Sequence, residues 1–121
     1  MEKEKNQSLF EGKKYFNLDG KIFYENGLVL DAKTERLVTK ISEAQFRILF
    51  NLFESEGVIM SKQELIHKGW QGSVVSEGCL LMAIFSLRQL LKRNYIITVR
   101  GIGYYFMLPQ SIKVQRECVH H

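Results

Sequence analysis

The sequence is poor in proline and cysteine, and each shortage excludes a kind of protein. Its 121 residues include a single proline, Pro109, and no tract of glycine or serine that would separate two domains. The two cysteines, Cys79 and Cys118, lack the CxxC spacing of a zinc site and are too few for a disulfide scaffold. We therefore expect one domain in a reducing compartment, with no metal ion.

Long apolar runs are missing as well. No stretch approaches the roughly 20 apolar residues that a membrane-spanning helix needs, and the start, MEKEKNQSLFEGKK, has no apolar signal-peptide core. The sequence therefore predicts a soluble, cytoplasmic molecule. It leaves open whether the natural chain continues past Val119 into an inner-membrane anchor, and whether His120 and His121 are native or the remnant of a tag.

Acidic residues are scarce in the second half of the chain. After Glu77 the only acidic residue is Glu117, whereas the first seventy residues mix both signs. The net charge of +4 and the pI of about 9.1 do not by themselves identify a nucleic-acid-binding protein. The position of the cations is more informative, since they lie in the C-terminal half: Arg88, Lys92, Arg93, Arg100, Lys113 and Arg116.

Patterns that carry catalysis are absent too. The GxG at Gly101 and Gly103 lacks the third glycine of a dinucleotide fingerprint, and a strand pattern follows where that fold needs a helix. His67 stands alone, and Glu64 is explained by helix capping rather than by acid–base chemistry. No nucleophile is paired with a base. We predict a protein that is not an enzyme and requires no cofactor.

The first third of the chain has the pattern of short strands. KKYFNL, KIFYE, LVLD and RLVTKI are alternating or β-branched segments, and Asp19-Gly20 and Asn26-Gly27 are turn signals between them. This pattern predicts a small antiparallel sheet. Such a sheet has one apolar face to bury and needs a layer of helices.

Three helices are predicted next. The first follows Ser42 as N-cap and ends at Gly57, and the second, SKQELIHKGW, opens with a capping box formed by Ser61 and Glu64. The third spans about 76–93 and can be capped by Ser76. Its apolar residues recur at helical spacing and predict one buried face: Leu80, Ala83, Ile84, Leu87 and Leu91.

Two strand patterns, YIITV and YYFML, close the chain as a hairpin over 95–107. Arg100 stands beside the turn, and we expect Gly101 and Gly103 to supply positive φ there. The predicted fold is α+β: a winged helix-turn-helix with an N-terminal antiparallel sheet, three helices and a C-terminal hairpin wing. In such a fold the third helix enters a major groove about 12 Å wide, and the wing reaches the backbone or the minor groove.

Four segments resemble a known family. SEAQFRIL, VIMSKQELIHKGW, AIFSLRQLL and TVRGIGYYF are similar to the winged-helix effector domain of OmpR/PhoB-type response regulators, including its ToxR/CadC-like relatives. The hairpin is the most specific match, to T-V-R-G-x-G-Y-x-F. The resemblance covers residues 14–108, which leaves a flexible segment 1–13 and a tail 109–121 that is a linker or a tag remnant. It implies a DNA-binding transcriptional regulator.

The resemblance also implies site residues. The positions matching those that face DNA, with Lys92 added as a phosphate contact, are Gly78, Met82, Phe85, Ser86, Arg88, Lys92, Thr98 and Arg100. The loop between the second and third helices, which can touch RNA polymerase in the family, is Gln71, Gly72, Ser73 and Val74. Double-stranded DNA is the expected partner. Binding as a homodimer or as tandem copies is expected by resemblance alone.

The outward-facing residues of the third helix depart from the family. Leu81, Met82 and Phe85 are apolar; they can touch a thymine methyl but cannot make bidentate hydrogen bonds to guanine or adenine. An alternative function therefore stays open, in which this face docks a partner regulator or a second copy. No receiver domain is present in the sequence, so regulation would come from a membrane tether, a partner protein or the expression level.

Overall fold

The computed structural model describes residues 14–108; the predicted segments 1–13 and 109–121 lie outside them. The chain begins with an antiparallel four-stranded sheet in the order β1-β2-β3-β4. All four strands coincide with the predicted segments: β1 Tyr15–Leu18, β2 Lys21–Tyr24, β3 Leu28–Asp31 and β4 Leu37–Lys40. This sheet is the N-terminal sheet below.

The turns of the N-terminal sheet form where their residues predict. Asp19 and Gly20 have φ of 60° and 74° and make the two-residue turn between β1 and β2. The next turn has Gly27 at φ 97°, and the Asn26 side chain accepts a hydrogen bond from the Leu28 N–H at 3.1 Å. Both turns fix the register that places one face of the sheet against the helices.

The helices are α1 Glu43–Glu54, α2 Lys62–Trp70 and α3 Glu77–Leu90. Ser42 and Ser61 both form complete capping boxes, with Gln45 and Glu64 respectively. The predicted span of about 76–93 is too long for α3. Ser76 is the N-cap, and the helix ends because Leu91 turns extended, at φ −83° and ψ 138°, and its side chain is buried. Lys92 and Arg93 therefore follow the helix.

The C-terminal hairpin consists of β6 Ile96–Val99 and β7 Gly103–Phe106. A third strand, β5 Met60–Ser61, pairs with β7, so the order is β5-β7-β6; the sequence predicted only an extended link there. Gly101 has the predicted positive φ, 77°, but Gly103 does not. Gly103 is required for a different reason, because a Cβ at that position would overlap the Met60 carbonyl oxygen.

The core lies between the N-terminal sheet, the helices and the hairpin. Phe16 stacks against Phe23 and Phe53, with ring centroids 5.2 and 4.7 Å apart, and Tyr95 stacks on Phe106 at 5.5 Å. The predicted apolar stripe is buried in this core; its last member, Leu91, lies one residue beyond the end of α3. The opposite side of α3 consequently faces outward. Within residues 14–108, no helix has the length and apolar character needed to cross a bilayer.

Candidate nucleic-acid interface

One face of α3 points away from the core and carries little polar chemistry. Gly78, Met82, Phe85 and Gln89 follow one another at intervals of four, three and four residues, which places them on one side of a helix. Met82 is 64% exposed and Phe85 57% exposed, and Gln89 is exposed as well. We call these four residues the outer face. Gln89 was not among the predicted site residues, although the helical period identifies it.

Two further exposed residues flank the outer face. Leu81 is 57% exposed on the side of Arg88, and Ser86 lies exposed on the other side. The structure thus brings the predicted residues Gly78, Met82, Phe85 and Ser86 together on one surface. The one acidic residue of α3, Glu77, lies 3.7 Å from the Lys62 ammonium, which offsets its charge.

Arg88 does not extend freely from α3. Its Nη2 donates to the Ile96 carbonyl oxygen at 2.6 Å and to the Thr98 hydroxyl at 2.9 Å. The guanidinium also lies 5.9 Å from the centre of the Tyr104 ring, within cation–π range. Arg88 and Thr98, predicted separately as DNA contacts, are therefore bonded to each other. Together they join α3 to β6 and fix the angle between helix and wing.

The wing tip presents Arg100 from an anchored turn. The Ile102 N–H donates to the Val99 carbonyl at 2.9 Å, which closes a β-turn with Gly101 at the position that favours positive φ. The Ile102 carbonyl in turn accepts from the Lys62 N–H at 3.2 Å, at the start of α2. Arg100 is exposed. A permanent cation thus projects from a turn that is held on both sides.

The C-terminal end of α3 is fixed by Asp19 of the N-terminal sheet. The Asp19 carboxylate accepts from the Lys92 N–H at 2.8 Å, the Tyr95 hydroxyl at 3.0 Å and the Lys21 ammonium at 3.2 Å. Burial alone would raise the pKa of Asp19, but these hydrogen bonds together hold it below its ordinary value. Burial and the Asp19 carboxylate raise the pKa of the Tyr95 phenol. The Lys92 and Arg93 side chains remain exposed beside this cluster.

The loop between α2 and α3 contains the four residues predicted to contact a polymerase or another partner. Gln71 caps α2 in the left-handed conformation at φ 50°, and Gly72 follows at φ 90°. The Ser73 N–H donates to the Trp70 carbonyl at 3.0 Å, which turns the chain back. Val74 is completely exposed. The loop therefore offers an ordered backbone with an apolar tip, away from the core.

Neither a disulfide nor a metal site is found among residues 14–108. Among the residues that the structure describes, no group of three histidine, cysteine or acidic residues is placed to hold a metal ion. Cys79, in the first turn of α3, is an exposed free thiol with its sulfur 3.8 Å from the Ser76 hydroxyl oxygen.

The fold and this surface define a class of protein. Residues 35–106 match the family described as "Transcriptional regulatory protein, C terminal", which covers more than half of the chain. The chain therefore belongs to this family, and it carries an OmpR/PhoB-type winged-helix domain of DNA-binding transcriptional regulators. The resemblance noted in the sequence is thereby confirmed, and so is the predicted fold class.

Individual relatives agree with this class. The chain is 33% identical over 100 residues to the transcriptional regulator HilA of Salmonella typhimurium, which covers 79% of this chain and 18% of HilA, so the chain spans less than a fifth of that relative's length. The DNA-binding domain of E. coli CadC has the same fold, with a TM-score of 0.64, 23% identity and coverage of 81% of this chain and 96% of that one. The Klebsiella pneumoniae RstA DNA-binding domain, solved in complex with RstA box, gives a TM-score of 0.56, 28% identity and coverage of 78% and 97%.

Proposed function

We propose that this domain regulates transcription by binding double-stranded DNA, with α3 in the major groove and the wing on the adjacent backbone or minor groove. The observation that carries this proposal is the exposed outer face of α3, on a helix that leads into the exposed Lys92 and Arg93 and is tied through Arg88 to the wing that carries the exposed Arg100. A helix with one free face and flanking positive charge suits a groove lined by phosphates. The proposal includes no catalytic step.

The residues take two kinds of role. Lys92 and Arg100 are exposed cations and are proposed as phosphate contacts, while Ser86 reaches a base edge or a phosphate. Arg88 is bonded to Ile96 and Thr98, so we propose it as a positioning residue that sets the wing against α3. This division assigns the salt-dependent part of binding to Lys92 and Arg100 rather than to Arg88.

Arg100→Ala tests the wing contact. It should weaken binding to all duplexes and reduce the slope of log K against log salt by about 0.9, the value for one lost phosphate contact. Fluorescence anisotropy with labelled genomic duplexes, at several salt concentrations, measures both quantities. Arg88→Ala should instead lower the affinity with little change in slope, since it loosens the wing without removing a phosphate contact.

Lys40→Ala is the matched control for this experiment. It removes one exposed cation from β4 of the N-terminal sheet and changes the net charge by the same amount. Its salt slope should equal that of the wild type. Equal salt slopes for the wild type and Arg100→Ala would show that the wing does not contact a phosphate through Arg100. A salt slope near zero for the wild type would contradict DNA binding altogether.

Further partners are proposed on narrower grounds. The relatives include the transcriptional regulator HilA and the RstA DNA-binding domain solved in complex with RstA box. By the family resemblance alone, the exposed loop at Gln71 to Val74 is proposed to contact RNA polymerase, and the domain is proposed to act as a dimer or as tandem copies on DNA. The regulatory activity of a longer natural protein, whether cytoplasmic or anchored to a membrane, would be built on this DNA-binding step.

A second function is favoured by the exposure of Leu81, Met82 and Phe85. Contiguous exposed apolar side chains commonly mark protein interfaces, so these residues are also suited to dock a partner regulator or a second copy. Phe85→Ala separates the two functions. If the face binds protein, the variant keeps its affinity for DNA and loses the complex with the partner; if the face binds DNA, the variant loses DNA affinity.

A further inference from the structure

The chemistry of the outer face restricts which base pairs α3 can recognise, provided that the domain binds DNA as proposed above. Arg88 is the only arginine of α3, and the helix contains no lysine. Because the Arg88 guanidinium is bound to the Ile96 carbonyl and the Thr98 hydroxyl, it is withdrawn from the groove side. The usual bidentate contact to guanine, which needs arginine or lysine, is therefore unavailable from this helix.

The groups that remain on the outer face fit A·T pairs. Met82 and Phe85 are more than half exposed and apolar, and the one apolar group that a base pair presents in the major groove is the thymine C5-methyl. Gln89, one turn beyond Phe85 on the same face, carries the amide that matches the N6 and N7 positions of adenine. Gly78 has no side chain, so the first turn of α3 can approach the bases closely.

The charges around the outer face favour DNA as its occupant. Arg100 lies on the wing, and Lys92 and Arg93 lie at the end of α3; all three are exposed. The one acid on α3, Glu77, is offset by Lys62. An apolar strip on a helix that is followed by two exposed cations, in a domain whose wing carries a third, complements methyl groups in a groove bordered by phosphates, whereas an apolar protein surface would offer these cations no counterions.

We propose that α3 is a thymine-methyl reader: Met82 and Phe85 contact C5-methyl groups, Gln89 reads adenine, and the preferred sites are thymine-rich A·T segments. Specificity then arises from apolar contact and one amide, while the cations of the wing and of the α3 end supply affinity without sequence preference.

Deoxyuridine tests the methyl contacts directly. Duplexes are first enriched from a randomised library with the 121-residue chain, and the enriched sequence is then synthesised with deoxyuridine in place of thymine. This exchange removes only the methyl groups and keeps every phosphate and hydrogen-bonding group. Wild-type affinity should fall about fourfold for each contacted methyl. The double variant Met82→Ala/Phe85→Ala should bind the two duplexes equally.

Leu37→Ala is the control for the double variant. Leu37 is 62% exposed in β4, and its truncation removes a similar apolar group outside α3. This variant should retain the full preference for thymine over deoxyuridine. Met82 and Phe85 are exposed, so their removal leaves the core intact, which unfolding midpoints equal to that of the wild type would verify.

A second arm tests Gln89. Replacing adenine by 7-deazaadenine removes the N7 acceptor, which should weaken wild-type binding but not the binding of Gln89→Ala.

The proposal is overturned if wild type binds thymine and deoxyuridine duplexes equally, or if the enriched duplexes share only G·C pairs. Salt-dependent binding with no thymine preference would overturn this inference and leave DNA binding standing. Failure to bind any duplex would overturn both.

Discussion

Asp19 connects parts of the chain that lie 73 and 76 residues apart in sequence, through the Lys92 N–H and the Tyr95 hydroxyl. Its side chain is only 6% exposed, and its third partner is the Lys21 ammonium at 3.2 Å. A carboxylate taken out of water is stable only when its oxygens accept hydrogen bonds. Here the bonds fix the point where the chain leaves α3 and enters β6, and so they locate the wing.

Asp19→Asn should destabilise the domain by about 2 kcal/mol at neutral pH, because charge-assisted hydrogen bonds are replaced by weaker ones. Asparagine tolerates the positive φ of this turn, so the backbone is not strained by the change. Chemical denaturation at several pH values measures the effect. Glu54→Gln, at an exposed position of α1, is the control and should change the stability by less than about 0.5 kcal/mol.

The contribution of Asp19 to the folding stability depends on pH in a definite direction. Hydrogen bonding holds the pKa of Asp19 in the folded protein below its ordinary value of 3.8, so the unfolded chain binds the proton more readily. The contribution of Asp19 is therefore present above pH 3.8 and is lost as the pH falls through the folded-state pKa. The difference in unfolding free energy between wild type and Asp19→Asn should disappear in strong acid. A difference in unfolding free energy that is constant with pH would show that the charge of the Asp19 carboxylate contributes nothing to the stability.

Single residues show where sequence reasoning stops. The positions of Arg88 and Thr98 were predicted as DNA contacts, but their hydrogen bond to each other was not, because it joins a helix to a strand across the fold. The same holds for Asp19, which the sequence identifies only as a turn residue. Gln89 could have been predicted as a site residue from the sequence, since it continues the helical spacing of Gly78, Met82 and Phe85. A hydrogen bond between different elements of the fold leaves no periodic pattern in the sequence from which it could be predicted.

At the scale of elements, the wing depends on close packing between two strands. β5 pairs with β7, with Met60 opposite Tyr104 and Ser61 opposite Gly103. No side chain fits at Gly103, because the Met60 carbonyl oxygen occupies the space of a Cβ. The wing is therefore part of a three-stranded sheet attached to the start of α2, rather than an isolated hairpin.

Gly103→Ala should lower the stability by about 3 kcal/mol, since the clash is with backbone atoms that cannot move aside without breaking the pairing of β5 and β7. Gly101→Ala is the matched comparison. Its Cβ would meet nothing within 4 Å, so it should cost only about 1 kcal/mol for the positive φ. Denaturant unfolding of the two variants distinguishes the causes. Equal losses would mean that close approach at Gly103 is unimportant.

The elements themselves were largely predictable because their signals are local. Alternation and turn residues identified the four strands of the N-terminal sheet, and the capping serines Ser42 and Ser61 identified two helix starts. The length of α3 was overestimated because Lys92 and Arg93 are compatible with a helix end, and the actual end is set by tertiary contacts. β5 was missed because two residues are too few to show a period.

At the scale of the whole molecule, the N-terminal sheet and the core hold two exposed elements in a fixed relation. Asp19 fixes the end of α3, Arg88 links α3 to β6, and the Lys62 N–H holds the wing tip. The first link joins the end of α3 to the N-terminal sheet, the second joins α3 to the wing, and the third joins the wing tip to the start of α2. Such an arrangement presents the outer face and Arg100 together, as preorganised binding to a groove requires.

We propose that α3 and the wing bind DNA together, and an amide NMR titration with an enriched duplex tests this joint contact. We expect the largest shifts on α3 and on the turn between β6 and β7, with β1 to β3 little changed. Shifts confined to the loop at Gln71 to Val74, or to the N-terminal sheet, would show that DNA is not bound by α3 and the wing.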